Sequence, residues 1–207
     1  MRRVIYAVSV LGAVWVLLGS VTVWAVGERA VATLRDAEGK VLGVALFVQE
    51  SQGVRISVTV KGLSSGEHGI HIHSVGKCEP PDFLSAGPHF NPTNKKHGLN
   101  NPEGPHAGDL PNLVVNEDGS AVYEHVTNLV TLTPGELSLF DEDGSALVIH
   151  AGPDDQSTDP AGNSGARVLC GVITPMKAAS LRLPSMITTM LLLAAVALVV
   201  WLLLFRR

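Results

Sequence analysis

The chain has 207 residues, of which 46% are hydrophobic and 16% charged, and its formal net charge at pH 7 is −4. This length favours a single folded domain, and a mildly acidic chain without a run of Lys and Arg excludes a nucleic-acid-binding role. The apolar residues are concentrated at the two ends, so the sequence between them is more polar than the average composition indicates.

The amino-terminal segment, residues 1–27, contains an apolar run from Val4 to Val26 that follows Arg2 and Arg3. A short basic region before an apolar stretch is typical of a secretory signal peptide, and Val23-Trp24-Ala25 is an acceptable cleavage site. The run is also long enough to remain in a membrane as an anchor. We therefore expect residues 1–27 to be either a signal peptide or an N-terminal membrane anchor.

The central segment, residues 28–175, has the pattern of β-strands rather than of helices. Short β-rich runs alternate with turn sequences such as Asp36-Ala37-Glu38-Gly39 and Glu117-Asp118-Gly119. The runs are Val31–Leu34, Val41–Val48, Val54–Val60, Asn112–Asn116, Ser120–Val126, Ser145–His150 and Arg167–Thr174. Short strands at regular spacing predict an all-β sandwich or barrel.

Two long segments, residues 74–110 and 151–166, lack strand character, and loops of this length are uncommon in a compact domain unless they carry function. In or beside them lies an ordered series of potential metal ligands: His71, His73, His89, His97, His106, Asp109 and His150. Because side chains alternate between the faces of a strand, His71 and His73 point the same way and can bind one ion. The other members can complete that ligand set or bring a second ion beside it.

The chain has two cysteines, Cys78 in the first long loop and Cys170 in the last strand run. In an exported domain such a distant pair is a candidate disulfide, which would stabilise the fold by ~4 kcal/mol and fix the loop to the sheet. The alternative is a pair of reduced, buried thiols in a cytosolic protein. The apolar ends of the chain argue against that alternative.

The carboxyl-terminal segment contains an uninterrupted apolar stretch, residues 186–205, that carries no charge. As a helix rising ~1.5 Å per residue, such a stretch matches the ~30 Å hydrocarbon core of a bilayer. We predict a transmembrane helix, with a buried core helix as the alternative. Residues 176–185 would form a tether, and ten residues reach only ~33 Å when fully extended. The folded domain would then stay close to the membrane.

Six motifs of the central domain together resemble the copper,zinc superoxide dismutases. They are Gly69–His73, Gly87–Pro92, Lys96–Gly98, His106–Leu110, Leu147–His150 and Gly162–Gly171. Their joint occurrence in this order is far more specific than any one of them. The resemblance implies an all-β, eight-stranded Greek-key β-sandwich or barrel of the immunoglobulin-like kind, with two long functional loops. In this chain, apolar terminal helices would flank that domain. The loop after Cys78 is lengthened, as in the bacterial exported members.

The resemblance also implies a role for each candidate residue. It assigns four residues as copper ligands, namely His71, His73, His89 and His150. It assigns four residues as zinc ligands, namely His89, His97, His106 and Asp109. The ring of His89 would bridge both metals. Ligand chemistry agrees, because three nitrogens and one oxygen suit structural zinc, whereas four imidazoles suit copper, which can change its oxidation state. The resemblance further implies that Asp154 links a copper ligand to a zinc ligand and that Arg167 docks an anionic substrate.

These assignments predict an oxidoreductase that converts superoxide to dioxygen and hydrogen peroxide on the extracytoplasmic side of a membrane, at the cell surface or in the periplasm. Two alternatives come from other classes of protein. One is a copper- or zinc-binding protein of the same fold without turnover, and the other is an adhesion or assembly module in which zinc is a structural staple. The complete ligand set and Arg167 favour the enzyme. A homodimer is left open, because dimer contacts in this family vary with the loops.

The two remaining histidines of the central domain have structural or surface interpretations. His68 resembles a structural histidine at a strand entrance, and His125 lies in a strand run without a partner nearby in sequence. The loop from Gln156 to Ala166 is shorter than the charged loop of many eukaryotic members. We therefore expect long-range electrostatic steering of the substrate to be weaker or to come from elsewhere.

Overall fold

The computed structural model describes residues 28–176 and, near the carboxyl terminus, residues 198, 201 and 202. In the first range the strands are β1 Arg29–Arg35, β2 Val41–Glu50, β3 Gly53–Lys61, β4 Gly66–His68, β5 Ile70–His73, β6 Leu113–Val115, β7 Ser120–Thr127, β8 Ala146–His150, β9 Arg167–Val172 and β10 Thr174–Pro175. One short 3-10 turn, Leu84–Ala86, interrupts the first long loop. The prediction of an all-β domain is confirmed.

Eight of these strands form one curled antiparallel sheet in the order β5-β8-β9-β1-β2-β3-β7, with β10 beside β1, while β4 and β6 form a separate pair. Strand β3 shows why the sheet curls around a core. Its alternate residues Val54, Ile56, Val58 and Val60 are buried, and the residues between them face outward. This alternation is typical of an antiparallel sheet with one apolar and one solvated face.

The first hairpin turn forms where the sequence predicts it. The Asp36 carboxylate accepts hydrogen bonds from the backbone N–H groups of Glu38 and Lys40, at 3.1 and 2.8 Å. Gly39 closes the turn with φ +80°, in the left-handed region that favours glycine. The turn joins β1 to β2 in antiparallel register.

Strands β5 and β8 carry three of the predicted copper ligands, His71 and His73 on β5 and His150 at the end of β8. Every residue of both strands is buried. Their register pairs His71 with Val148 and His73 with Ala146. Ile70 and Ile72 belong to the main hydrophobic core, so the alternation of the strand turns the two histidines away from that core. The predicted common orientation of His71 and His73 follows from this packing.

The predicted disulfide is confirmed. Cys78 and Cys170 are bonded, and their Cα atoms lie 5.6 Å apart. Phe83 and Ala86, which flank or belong to the 3-10 turn, form a second small apolar cluster with Cys170 and with Val148 of β8. The disulfide and this cluster together fix the first long loop to β8 and β9.

Of the predicted terminal segments, residues 1–27 and 177–185 lie outside the described residues, as does most of the predicted transmembrane helix 186–205. The described residues of that helix, Leu198, Trp201 and Leu202, are helical and exposed. Within the part of the chain that the structure describes, we find no helix that is both long and apolar enough to cross a membrane. At the edge of the β-domain the backbone N–H of Met176 donates to the carbonyl of Arg29 at 2.8 Å. The two ends of this domain therefore leave it side by side.

Candidate metal centre

The free edge of β5 is covered by two parts of the first long loop. His73 pairs with His89 and His71 pairs with Asp109 through isolated β-bridges. Gly108 makes the close approach feasible, because a Cβ at that position would collide with the carbonyl oxygen of Ile72. Backbone pairing alone thus places two loop residues beside the two strand histidines.

Four imidazoles meet at this edge, with His150 entering from the end of β8, where the ladder register shifts. The ring centroid of His71 lies 4.0 Å from that of His89 and 4.9 Å from that of His150. The ring centroids of His73 and His89 are 4.9 Å apart. All four residues are buried. The structure therefore brings together the four predicted copper ligands.

One nitrogen of each ring is buried without a hydrogen-bond partner among residues 28–176. These atoms are Nδ1 of His71 and Nε2 of His73, His89 and His150, and the ligand atoms of the four residues lie within 4.8 Å of one another. A buried polar atom without a partner costs about 1–3 kcal/mol, so four converging lone pairs are explained by a bound cation. A set of four imidazoles fits copper.

The opposite nitrogens of three of these rings hold the rings in orientation. The contacts are His73 Nδ1 to the Gly87 carbonyl at 2.8 Å, His150 Nδ1 to the Gly165 carbonyl at 3.0 Å, and His71 Nε2 to Asp154 Oδ2 at 2.7 Å. Each such bond fixes which nitrogen carries the proton. Burial lowers the pKa of His71 to about 3 and that of His150 to about 4. The rings are therefore neutral at pH 7, and their lone pairs are available to a metal.

A second ligand set surrounds Asp109. Its Oδ1 atom lies 2.8, 3.0 and 3.4 Å from Nδ1 of His89, His97 and His106, respectively. Its Oδ2 atom accepts hydrogen bonds from the backbone N–H groups of Gly98 and His106, at 2.8 and 2.9 Å. Ligand atoms around a tetrahedral zinc ion with bonds of ~2.0 Å are ~3.3 Å apart, so the three nitrogens and one oxygen fit zinc.

The charges of this second set are strongly coupled. Burial would raise the pKa of Asp109, but the hydrogen bonds from His106, His89 and His97 hold it far below its ordinary value. Burial would likewise lower the pKa of His97, yet the carboxylates of Asp109 and Asp154 raise it to about 9. Asp109 is thus an ionised ligand at any physiological pH.

Asp154 lies between the two ligand sets and is almost fully buried. Its Oδ2 accepts a hydrogen bond from His71 at 2.7 Å, and its Oδ1 lies 3.0 Å from Nε2 of His97. The side-chain amide of Asn112 pairs with the backbone N–H and carbonyl of Asp154, both at 2.9 Å. One carboxylate therefore orients a ring of each set, which is the contact pattern that the sequence resemblance implies.

Arg167 lies half-buried at the start of β9. Its two terminal nitrogens donate to the carbonyls of Phe83 and Gly87, both at 2.7 Å. The Gly87 carbonyl also accepts from His73, so the guanidinium and a copper-set imidazole share one acceptor. Burial lowers the pKa of Arg167, but a guanidinium stays charged at neutral pH. The structure thus places a fixed cation beside the four-histidine set.

Sequence reasoning missed residues that act through the backbone or through a single contact. The carbonyls of Gly87 and Gly165 leave no signal in the sequence, and neither does the amide of Asn112. His68 and His125 join neither ligand set within residues 28–176. Both ring nitrogens of His68 contact backbone carbonyls, those of His150 and Ser64, at 2.7 and 2.9 Å.

The fold and the site define a class of protein: an antiparallel β-barrel-like domain with two adjoining metal-ligand sets that share one histidine. The model of the family described as Copper/zinc superoxide dismutase (SODC) matches residues 41–173. The protein named superoxide dismutase [Cu-Zn] 2 of Aquifex aeolicus is 52% identical over 147 residues, which cover 70% of this chain and 86% of that protein. The chain belongs to the copper/zinc superoxide dismutase family, and its cofactors are copper and zinc.

The family also includes a protein named only for its likeness to the enzyme. The superoxide dismutase-like protein YojM of Bacillus subtilis is 45% identical over 143 residues, which cover 68% of this chain and 73% of that protein. A crystal structure of a superoxide dismutase-like protein from Bacillus subtilis has a TM-score of 0.67 at 43% identity, covering 70% of this chain and 97% of the solved one.

Proposed function

We propose that this protein dismutes superoxide to dioxygen and hydrogen peroxide at a copper site bridged to zinc through His89, on the extracytoplasmic side of a membrane. One observation carries the proposal: four buried imidazole nitrogens without a partner in the described β-domain converge beside the guanidinium of Arg167. A structural zinc staple would need neither this second set nor a cation next to it.

Copper bound by His71, His73, His89 and His150 would supply the change of oxidation state that oxidises one superoxide ion and reduces the next. The overall reaction takes up two protons for two superoxide ions, so the chain must also handle protons. His89 is the residue placed to do so. Its Nδ1 faces Asp109 of the zinc set, whereas its Nε2 converges with the copper set and could take up a proton only while it is not bound to copper.

Arg167 would bind the substrate. Its guanidinium has donors committed to two carbonyls, which hold the group in place, and it retains further N–H groups for an anion. A small anion that reaches this charge also reaches the neighbouring histidine set.

The zinc set would hold the loop and the bridge rather than perform redox chemistry. One carboxylate oxygen of Asp109 contacts the rings of His89, His97 and His106. The carboxylate of Asp154 contacts both His97 and His71, so it couples the orientations of these two rings. Zinc held by His89, His97, His106 and Asp109 would add a fixed positive charge beside the ring of His89 and keep that ring oriented.

Membrane anchoring is supported by the apolar runs 4–26 and 186–205, each of which is long enough to cross a bilayer. Superoxide that arrives from outside would then be removed close to the membrane. Cell fractionation tests this placement: recovery of the full chain with membranes supports it, and recovery chiefly as a released soluble protein contradicts it.

The catalytic proposal is tested with the full chain loaded with copper and zinc. We expect the loaded protein to dismute superoxide and the His150→Ala variant to lose that activity while it keeps zinc. The matched control is His125→Ala, which removes a histidine outside both ligand sets and should leave the rate unchanged. A wild-type protein that binds copper at this site without dismuting superoxide would instead be a non-catalytic member of the fold.

A further inference from the structure

Asp159 contacts the zinc set from outside and is not one of its ligands. Its Oδ1 atom accepts a hydrogen bond from the backbone N–H of His97 at 2.8 Å. The same oxygen lies 3.9 Å from Nε2 of His106. One carboxylate thus faces two of the four residues that would hold zinc.

His106 is the zinc ligand whose outer nitrogen still needs an acceptor. The outer nitrogen of His97 is bonded to Asp154, and the second nitrogen of His89 faces the copper set. Within residues 28–176, Nε2 of His106 makes no hydrogen bond, and the carboxylate that faces it is that of Asp159. Metal-bound imidazoles usually donate their other N–H to a carboxylate, a carbonyl or water, which fixes the ring and strengthens it as a ligand.

The contact lies on a side of the zinc set that solvent can reach. His106 and Asp159 both line a cavity of about 670 Å³, together with Lys96. The side chain of His106 is 9% exposed and that of Asp159 is 41% exposed. Lys96 is paired with the other carboxylate oxygen, Oδ2, at 3.3 Å. Oδ1 is therefore left for His97 and His106, at the place where zinc would exchange with the solvent.

We propose that Asp159 is a positioning residue of the zinc site. When zinc is bound, its carboxylate accepts a hydrogen bond from the Nε2–H group of His106 and thereby slows the loss of zinc through the cavity. The inference rests on the proposed function, which assigns zinc to the set around Asp109. It adds to that set a carboxylate outside the ligands, carried by the second long loop.

The test compares two variants of Asp159 in the full chain loaded with zinc and copper. Asp159→Asn keeps a carbonyl oxygen for the N–H of His97 but removes the negative charge that faces His106. Asp159→Ala removes both. The measurement is the rate and extent of zinc transfer to a competing chelator. We expect the zinc affinity of both variants to be lower than that of the wild type by about 10-fold or more. The Cu(II) EPR spectrum of Asp159→Asn should stay that of the wild type.

Asp155→Asn is the matched control, because Asp155 lies in the same loop but its carboxylate accepts from Ser157, Thr158 and Asn163 instead of the zinc ligands. It should release zinc at the wild-type rate. If Asp159→Asn also releases zinc at that rate and only Asp159→Ala is faster, Asp159 merely anchors the backbone of His97, and the inference is overturned. A wild-type protein that binds no zinc, or whose zinc survives His106→Ala, overturns the proposed zinc site itself.

Discussion

At the scale of single residues, His89 joins the two halves of the site because its two nitrogens have different surroundings. Nδ1 lies 2.8 Å from Asp109, whereas Nε2 is buried without a partner in the described β-domain. Burial lowers the pKa of His89 despite the nearby carboxylate, so the ring is neutral at pH 7. A ring that belongs to both ligand sets would have to give up its remaining N–H proton to hold both metals, and no other described residue belongs to both sets.

Arg167 provides the most direct residue-scale prediction. We expect Arg167→Ala to lower kcat/KM for superoxide by about 10-fold to 100-fold, because a charged hydrogen-bond donor to an anion contributes about 1.5–3 kcal/mol. Copper and zinc contents should not change, since Arg167 is not a ligand. Arg35→Ala, which removes an exposed arginine of β1, is the control. Equal kcat/KM values for Arg167→Ala and the wild type would show that the guanidinium does not dock the substrate.

Asp154 supports a second residue-scale prediction. An amide in Asp154→Asn has only one acceptor oxygen, so His71 and His97 cannot both keep their contacts. We expect zinc affinity to fall about 10-fold to 100-fold, with a change in the Cu(II) EPR spectrum because the His71 ring is also released. Competition with a chelator measures the first effect. Asp118→Asn, which changes a carboxylate in the turn before β7, serves as the control. An unchanged EPR spectrum in Asp154→Asn would argue against a role of Asp154 in connecting His71 to His97.

At the scale of elements, the disulfide connects stability to the site. It closes a separation of 92 residues and fixes the loop that carries Phe83 and Gly87, whose carbonyls hold Arg167. We expect the Cys78→Ser/Cys170→Ser double variant to lose about 4 kcal/mol of unfolding free energy. Chemical denaturation of metal-free protein measures this loss. A midpoint equal to that of the wild type would mean that the loop is held without the disulfide.

The sequence predicted β5 and its two histidines because alternation in a strand is a local property, visible in Ile70 to His73. It did not predict β4, since three residues, Gly66 to His68, show no periodicity and form a strand only by pairing with β6. The motif resemblance supplied the loop ligands. The outer contacts of Asn112 and Asp159 could not be predicted, because they depend on how two loops distant in sequence fold against each other.

At the scale of the whole molecule, the metal ligands make stability depend on pH in the metal-free protein. The folded-state pKa values of His71 and His150 are about 3 and 4, so below about 6.5 the unfolded state binds protons that the folded state does not. Unfolding free energy should therefore fall as the pH drops from 6.5 toward 4. His97 acts oppositely: its raised pKa of about 9 gives stability that is lost as the pH rises from 6.5 through 9.

Urea denaturation of metal-free protein at pH 4.5, 6.5 and 9.5 checks this prediction. Stability should be highest at the middle pH, and the His71→Ala variant should lose part of the decrease on the acid side. Loading with copper and zinc should remove the decline on the alkaline side, because zinc replaces the proton of His97, and should steepen the decline on the acid side, because the loaded native state binds no proton at any ligand histidine. A metal-free protein equally stable at all three pH values would contradict the linkage.

The central claim is that copper held by the four histidines turns over superoxide. The most direct measurement is the decay of superoxide at rising copper occupancy of the zinc-loaded full chain. We predict a second-order rate that grows in proportion to bound copper, up to one ion per chain. Superoxide decay that stays at the copper-free rate at full occupancy would contradict the claim.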